Sequence, residues 1–390
     1  MVPKGWEISQ LKDLIEGSIK NGFSPNSADS ETGYWVLGLG ALGEDGIVAS
    51  EIKPVEPQDK VLKNLLSKDD FLVSRSNTPD KVGRSVRFRG EVENCSYPDL
   101  MMRFRIDQRK ANKSFIEQQL KSSKVRTYFK NCAAGSSSTM VKINKRILEK
   151  TPIPTPPLQE QKKIAQVLST WDKAITTTEQ LLVNSQQQKK ALMQQLLTGK
   201  KRLLDKNRVR FNGGWESNHL KKLLQISKGK QLNKNTLSKS GKYAVINGGI
   251  EPSGYTSEYN TEANTITISE GGNSCGFVGF QSTRFWCGGH CYAIKNLKID
   301  LNFTYQLLKF NQSKIMRLRV GSGLPNIQKK DLEALSVYYP ISQEEQQKIA
   351  TVLSAADKEI EIIQQQLDQL KQEKKALMQQ LLTGKRRVKI

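Results

Sequence analysis

Histidine and cysteine are scarce in this sequence, and their scarcity removes whole classes of chemistry. Five cysteines scattered over 390 residues, an odd number, do not form a disulfide framework. With only His219 and His290 in the chain, and no Ser or Cys beside a plausible base, a hydrolytic triad has no support. No stretch is apolar and long enough to span a bilayer, and Met1 to Glu7 carries no run resembling a signal peptide. The expectation is therefore a cytoplasmic protein with no membrane partner. No Walker A sequence occurs. Thr155-Pro156-Pro157-Leu158 lacks both the acceptor amide or carboxylate and the stacking ring of an amino-methyltransferase motif. Acid is short as well: 38 Asp and Glu stand against 61 Lys and Arg, a formal charge of +23.

Three local patterns imitate functional motifs. Gly38-Leu39-Gly40-Ala41-Leu42-Gly43 has dinucleotide-fold spacing, but Glu44-Asp45-Gly46 follows where a phosphate-binding helix would start, so a loop is expected. Asp45 with Glu51-x-Lys53 has the residue types of a metal-dependent nuclease at too short a spacing. Cys275, Cys287, His290 and Cys291 lack a paired C-x-x-C knuckle, and small cysteines beside Phe, Trp and Tyr read as core filling. No catalytic, cofactor-binding or metal-binding residue is assigned on this chain.

What the sequence does contain is itself, twice. Lys189 to Lys200 returns as twelve identical residues at Lys374 to Lys385, and the same offset of 185 aligns Lys163-Ile164-Ala165 with Lys348-Ile349-Ala350 and Asp172-Lys173 with Asp357-Lys358. Apolar positions through Ile164, Leu168, Ile175 and Leu196, and through Ile349, Leu353, Ile360 and Leu381, step by threes and fours as in a heptad seam. Each copy predicts a helix of about 40 residues, roughly 60 Å long. Pro157 suits the first position of one helix, Ser342 with Glu345 spells a capping box for the other, and Gly199 and Gly384 suit left-handed stops. Lys189 and Lys374 break both seams at one place, predicting a polar layer. Two equal helices separated by a long segment are expected to pair antiparallel within the chain, giving a pseudo-twofold object; a dimerisation coiled coil between two copies of the chain is the alternative.

The segments outside the helices carry most of the charge: +6 over residues 1–150, +4 over 151–205, +11 over 206–339 and +2 over 340–390. Such a field implies a polyanionic partner, nucleic acid before membrane. Both segments open alike, Gly5-Trp6-Glu7 and Gly214-Trp215-Glu216, and both leave through a Pro-containing strand, Ile153 to Pro157 and Val337 to Pro340. Short apolar runs at Phe71-Leu72-Val73, Val86 to Phe88, Thr265 to Ile268 and Tyr292 to Ile294 predict strands. Arg87-Phe88-Arg89 and Arg103-Phe104-Arg105 would set two guanidiniums on one strand face around an inward ring, and Arg317-Leu318-Arg319 repeats the pattern. These arginines are candidates for phosphate clamps or guanine readers. A solvated basic face is the plain alternative. Arg75, Asn77, Arg84, Lys228, Lys230, Asn247, Arg284 and Ser322 fall in turn-rich stretches where base-reading loops are expected.

The order of variable domain, Pro-rich exit, Glu160-Gln161-Lys162-Lys163-Ile164-Ala165, long helix and Leu196-Leu197-Thr198-Gly199-Lys200 resembles the specificity (S) subunit of type I restriction-modification systems. The order then repeats through Glu345 to Ala350 and Leu381 to Gly384. The resemblance covers essentially the whole chain and extends to Gly289-His290-Cys291-Tyr292-Ala293-Ile294. It implies an α+β fold with two globular mixed α/β target recognition domains on two long antiparallel coiled-coil helices. The divisions would be 1–155 for the first domain, 156–204 for the first helix and a basic connector, 205–340 for the second domain and 341–390 for the second helix. It further implies that each domain reads one half of a bipartite double-stranded DNA target, with the helices setting the spacer. Two methyltransferase (M) subunits would dock on the helices, restriction (R) subunits would join through the complex, and S-adenosylmethionine, magnesium and ATP would belong to those partners. The competing readings are a stand-alone nuclease or methyltransferase and a structural coiled-coil scaffold.

Overall fold

The computed structural model describes residues 2–44, 46–137, 140–321, 323 and 325–389. It divides into two compact units: Met1–Thr178 with Gln366–Ile390, and Glu179–Gln365. The two long helices, Leu158–Leu196 and Gln343–Leu381, are 39 residues each, as the repeat predicts. Each contributes one half to each unit.

In unit 1 the entrance strand β1 (Glu7–Gln10) leads to β2 (Ile15–Asn21), β3 (Phe71–Ser74), β4 (Ser85–Arg87), β5 (Met101–Ile106) and the exit strand β6 (Pro152–Thr155). β1 pairs antiparallel with β6, and the main sheet runs β2-β5-β3-β4, all antiparallel. Helices α1 (Lys113–Lys121) and α2 (Ser123–Cys132) follow the sheet. Their N-caps are Asn112 and Ser122, whose side chains accept from the amides of Phe115 and Val125. Phe71, Phe104, Phe115 and Phe129 form the core together with Ile164 and Leu168 of the first long helix and Leu381 and Leu382 at the end of the second. Each such side chain contributes about 1.5–3 kcal/mol by burial, so the helix ends and the domain form one core.

Unit 2 repeats this plan. Strands β7 (Trp215–His219), β8 (Gln225–Lys228), β9 (Thr265–Ser269), β10 (Val278–Gln281), β11 (Cys291–Lys295) and β12 (Ser336–Pro340) give an antiparallel β7-β12 pair and a sheet ordered β8-β11-β9-β10. Helices α3 (Leu301–Phe310) and α4 (Gln312–Arg317) stand where α1 and α2 do in unit 1. The core contains Leu196, Leu197, Ile349 and Leu353, each displaced by 185 positions from its counterpart in unit 1.

Within each unit the long helices run antiparallel. In unit 1 Glu160 meets Arg387 and Asp172 meets Lys374; in unit 2 Lys189 meets Asp357 and Arg202 meets Glu345. The polar layer expected at Lys189 and Lys374 is therefore two ion pairs with aspartates of the opposite helix. Gly199 and Gly384 end their helices at φ +71° and +75°. Two details differ from the sequence reading. Pro157 stands one residue before its helix and accepts the first helical bond, from Gln161 N at 3.0 Å. Only half of the capping box forms: Ser342 Oγ accepts from Glu345 N at 3.3 Å, but the Glu345 carboxylate is taken by Arg202.

Candidate nucleic-acid interface

The Glu-Gln pair that opens each helix anchors a globular domain. In unit 1 Gln161 donates to Pro156 O at 2.9 Å and accepts from Asn112 N at 2.8 Å, while buried Glu160 accepts from Arg387 Nη2 at 2.7 Å and Trp6 Nε1 at 3.1 Å. In unit 2 Gln346 donates to Pro340 O at 2.8 Å and accepts from Asp300 N at 2.9 Å, and Glu345 accepts from Arg202 Nη2 at 2.7 Å. One dipeptide thus ties the exit strand and the start of α1 or α3 to the helix.

On unit 1 the charge gathers in a cleft of about 900 Å³ bordered by nine Lys or Arg and four Asp or Glu. Arg84 and Arg89 come from the sheet side, Lys121, Lys124 and Arg126 from α1 and α2, and Lys371, Lys374 and Lys375 from the second long helix. Arg126 donates to Asp80 O at 2.9 Å, while its Nη1 is buried with no hydrogen-bond partner. Burial, and then the nearby charge of Arg84, lower its pKa from the ordinary arginine value. An anion in the cleft would relieve both penalties. Of the arginines proposed from sequence, only Arg84 and Arg89 line it. The rest of the lining comes from segments far apart in the chain, and no local pattern marks them.

The other candidates fall into distinct settings. Arg87 is 6% exposed, with Nε 3.1 Å from Glu117 Oε2 as an ion pair outside hydrogen-bond geometry and Nη1 on Ser114 Oγ at 3.2 Å. Burial makes it an internal brace, which corrects its placement on an open strand face. Arg89 lies beyond β4, exposed, and donates to the same Glu117 at 2.9 Å. Arg103 and Arg105 do flank an inward Phe104 on β5. Both close on the fully buried Asp70, at 3.4 Å and 2.6 Å. Arg84 reaches Leu42 O and Glu44, Arg75 reaches Asp99 O at 3.5 Å, and Asn77 caps its own turn by accepting from Thr78 N.

In unit 2 Lys228 is bound to Glu270 at 2.6 Å, and Arg284 to Glu262 at 2.9 Å over the Tyr259 ring. Asn247 accepts from His290 N, bracing two loops. Lys230 is exposed. Arg317 and Arg319 are exposed too, but not on a strand: Arg317 ends helix α4, which buries Ile315, and Leu318 is its C-cap. This corrects the strand reading of Arg317-Leu318-Arg319. Ser322 lies outside the described residues, as does Asp45 of the nuclease-like pattern. Sequence reasoning missed Asp70, Glu117 and Glu270, the acids that occupy its basic candidates. The adjacent acids Asp69-Asp70 before a strand were the available signal.

The lookalike motifs have plain structures. Leu39–Ala41 is a single 3-10 turn, and Gly38 N donates to Glu51 O at 2.6 Å. Cys275, Cys287 and Cys291 are buried thiols. Burial raises the pKa of Cys275, and a hydrogen bond with Cys287, then burial, raises that of Cys291, so both stay protonated. Among the described residues no group of three His, Cys, Asp or Glu side chains is disposed to hold a metal ion, and no helix is long and apolar enough to cross a membrane.

Residues 3–184 and 212–372 match the model of the type I restriction modification DNA specificity domain, once for each half of the chain. The chain belongs to this family. The chain is 28% identical over 410 residues to the putative type I restriction enzyme MjaX specificity subunit of Methanocaldococcus jannaschii, covering 100% of this chain and 95% of the relative. It is 39% identical over 159 residues to the putative type I specificity subunit S.MpnORF638P of Mycoplasma pneumoniae, 40% of this chain and 42% of that one. The crystal structure of a type I restriction-modification system S subunit from M. genitalium has the same fold, with TM-score 0.65 at 18% identity over 98% of this chain and 96% of that chain.

Proposed function

We propose that each recognition domain of this S chain reads one half of an asymmetric, bipartite duplex DNA target, and that the two long helices set the unread spacing between halves. The helices also dock two M subunits, through which R subunits join. Methyl transfer and cleavage, with S-adenosylmethionine, magnesium and ATP, belong to those partners, and this chain contributes recognition alone.

The observation that carries this reading is the doubled anchor: the same Glu-Gln joint and the same sheet order hold two domains whose loops and charges differ. A duplicated frame with unlike readers suits an asymmetric target. The division of labour follows from chemistry. Cations in the unit 1 cleft suit phosphates, which position the duplex without reading it, and a few loop side chains at base edges supply sequence preference.

Mapping methylated bases in cells that carry the chain with its cognate M subunits tests the proposal. Replacing residues 1–150 with another first domain should change one half-site only, and a heptad inserted into both long helices should change the spacer only. If the insertion leaves the methylated motif as it was, the helices do not set the spacing.

A further inference from the structure

Two polar knots recur where the long helices meet a recognition domain. In unit 1 Asp172 of the first long helix accepts from Lys374 Nζ of the second with one oxygen and from Gln118 Nε2 of α1 with the other, at 2.8 Å. In unit 2 Asp357 accepts from Lys189 Nζ and, at 2.8 Å, from Gln306 Nε2 of α3. Each carboxylate therefore ties three elements together, both long helices and the domain. The lysines are largely covered, at 15% and 16% side-chain exposure, whereas the aspartates remain 42% and 41% exposed.

The knots are poor devices for stability. In each, the glutamine's own oxygen, Gln118 Oε1 and Gln306 Oε1, is buried without a hydrogen-bond partner, a cost that an apolar side chain would avoid. They are effective devices for register. An apolar seam tolerates a slip of seven residues, because the same positions face again. Sliding the helices by one heptad would set Lys374 against Ala165 or Glu179, and correspondingly Lys189 against Ala350 or Gln364, so neither slip gives both lysines a carboxylate.

We propose that Asp172 and Asp357, each with its lysine and glutamine, are register-setting positioning residues. They hold the helix pair in one alignment, and each recognition domain at one place upon it, so that the assembled complex accepts a single spacer length. The inference rests on the reading that the helices set the spacing. A buried polar group that chooses one alignment among several apolar alternatives is a known use of such groups in coiled coils.

The test is methylation-motif mapping in cells carrying the full chain with its cognate M subunits. Wild type should methylate one spacer length. Asp172→Lys alone, or Lys374→Asp alone, should add motifs with other spacers. The double swap should restore the single length, because the pair re-forms with its partners exchanged and Gln118 can turn its orphaned oxygen to the new ammonium. Gln118→Leu keeps the ion pair, removes the orphaned oxygen and cuts only the domain's tie. It should fold as wild type by circular dichroism and still broaden the spacer, and it carries the test if a charge reversal yields no soluble complex. Wild-type spacing in Gln118→Leu and in every soluble reversal would overturn the inference. A heptad insertion in both helices separates the two levels. If it shifts the spacer while the knot variants do not, only the register role falls; if it too leaves the spacer unchanged, the reading beneath it falls.

Discussion

The anchor of unit 1 and the anchor of unit 2 use the same residue types and differ in their wiring. Glu160 receives both Arg387 and the indole N–H of Trp6, whereas Glu345 receives Arg202 while Trp215 Nε1 is buried without a partner and its ring tilts against Tyr338 at 5.0 Å. Arg387 is 43% exposed and Arg202 19%. In unit 2 the arginine belongs to the connector that carries the chain from helix to domain, and it also holds Gly213 O at 2.9 Å. In unit 1 the arginine follows the second helix and holds Lys4 O at 3.0 Å. The arginine's tie to the domain entrance spans 11 residues in unit 2 and 383 in unit 1. What the duplication preserves is therefore the contact geometry rather than the connectivity.

The comparison is broken most forcefully at the arginines. Removing one partner of a buried ion pair strands the other charge and costs about 3–5 kcal/mol, whereas an exposed partner leaves a charge that water can reach. Arg202→Ala should accordingly destabilise unit 2 by about 3 kcal/mol, near the low end of that range. Arg387→Ala should cost unit 1 less than that, because water can enter beside Glu160. Urea unfolding of the full chain, followed by tryptophan fluorescence, measures both. Equal losses would show that exposure of the arginine does not distinguish the two joints.

The glycine stops come next. Both lie at positive φ, where a Cβ costs roughly 1–2 kcal/mol. A Cβ on Gly199 would sit 3.4 Å from the Trp215 ring, an ordinary contact, whereas on Gly384 it would stand 2.4 Å from Pro3 Cγ. Gly384→Ala should therefore lose about 2 kcal/mol and Gly199→Ala about 1 kcal/mol. The same unfolding curves read the difference. A reversed order would mean that Pro3 yields more readily than the Trp215 indole.

The parts of this frame that could be read from sequence are those written as repeats. The twelve-residue identity gives two helices of equal length, the lysines that interrupt their seams announce a polar layer, and Gly199 and Gly384 stop them. Each of these signals is local, or is repeated at a fixed offset. The basic surface of the domains has neither property. Glu117 lies 28 residues from Arg89 and Asp70 lies 35 from Arg105, so nothing adjacent to those arginines shows that they are already paired. The same holds for Glu345, which completes a capping box by spelling but is drawn away by an arginine 143 residues earlier. Arg317-Leu318-Arg319 alternates like a strand over three residues, too short a window to reveal the helix set by buried Ile315. The unit 1 cleft is assembled from the loops near residue 43, β4, α1, α2 and both long helices, a juxtaposition that only folding produces.

The finest difference between the two joints is a single N–H. Trp6→Phe and Trp215→Phe remove the same atoms from rings that each lie under an arginine, at 5.9 Å and 5.6 Å, so the loss of ring area largely cancels between them. What does not cancel is the indole donor. In unit 1 it bonds a buried carboxylate, and its removal costs about 1.5 kcal/mol or more because hydrogen bonds to charged groups are the stronger kind. In unit 2 it has no partner, and removing it relieves a desolvated donor. Trp6→Phe should therefore exceed Trp215→Phe by about 1–2 kcal/mol in denaturant unfolding. A difference near zero would mean that the Trp6 to Glu160 bond contributes nothing beyond packing, and that the two anchors are energetically as alike as their sequences.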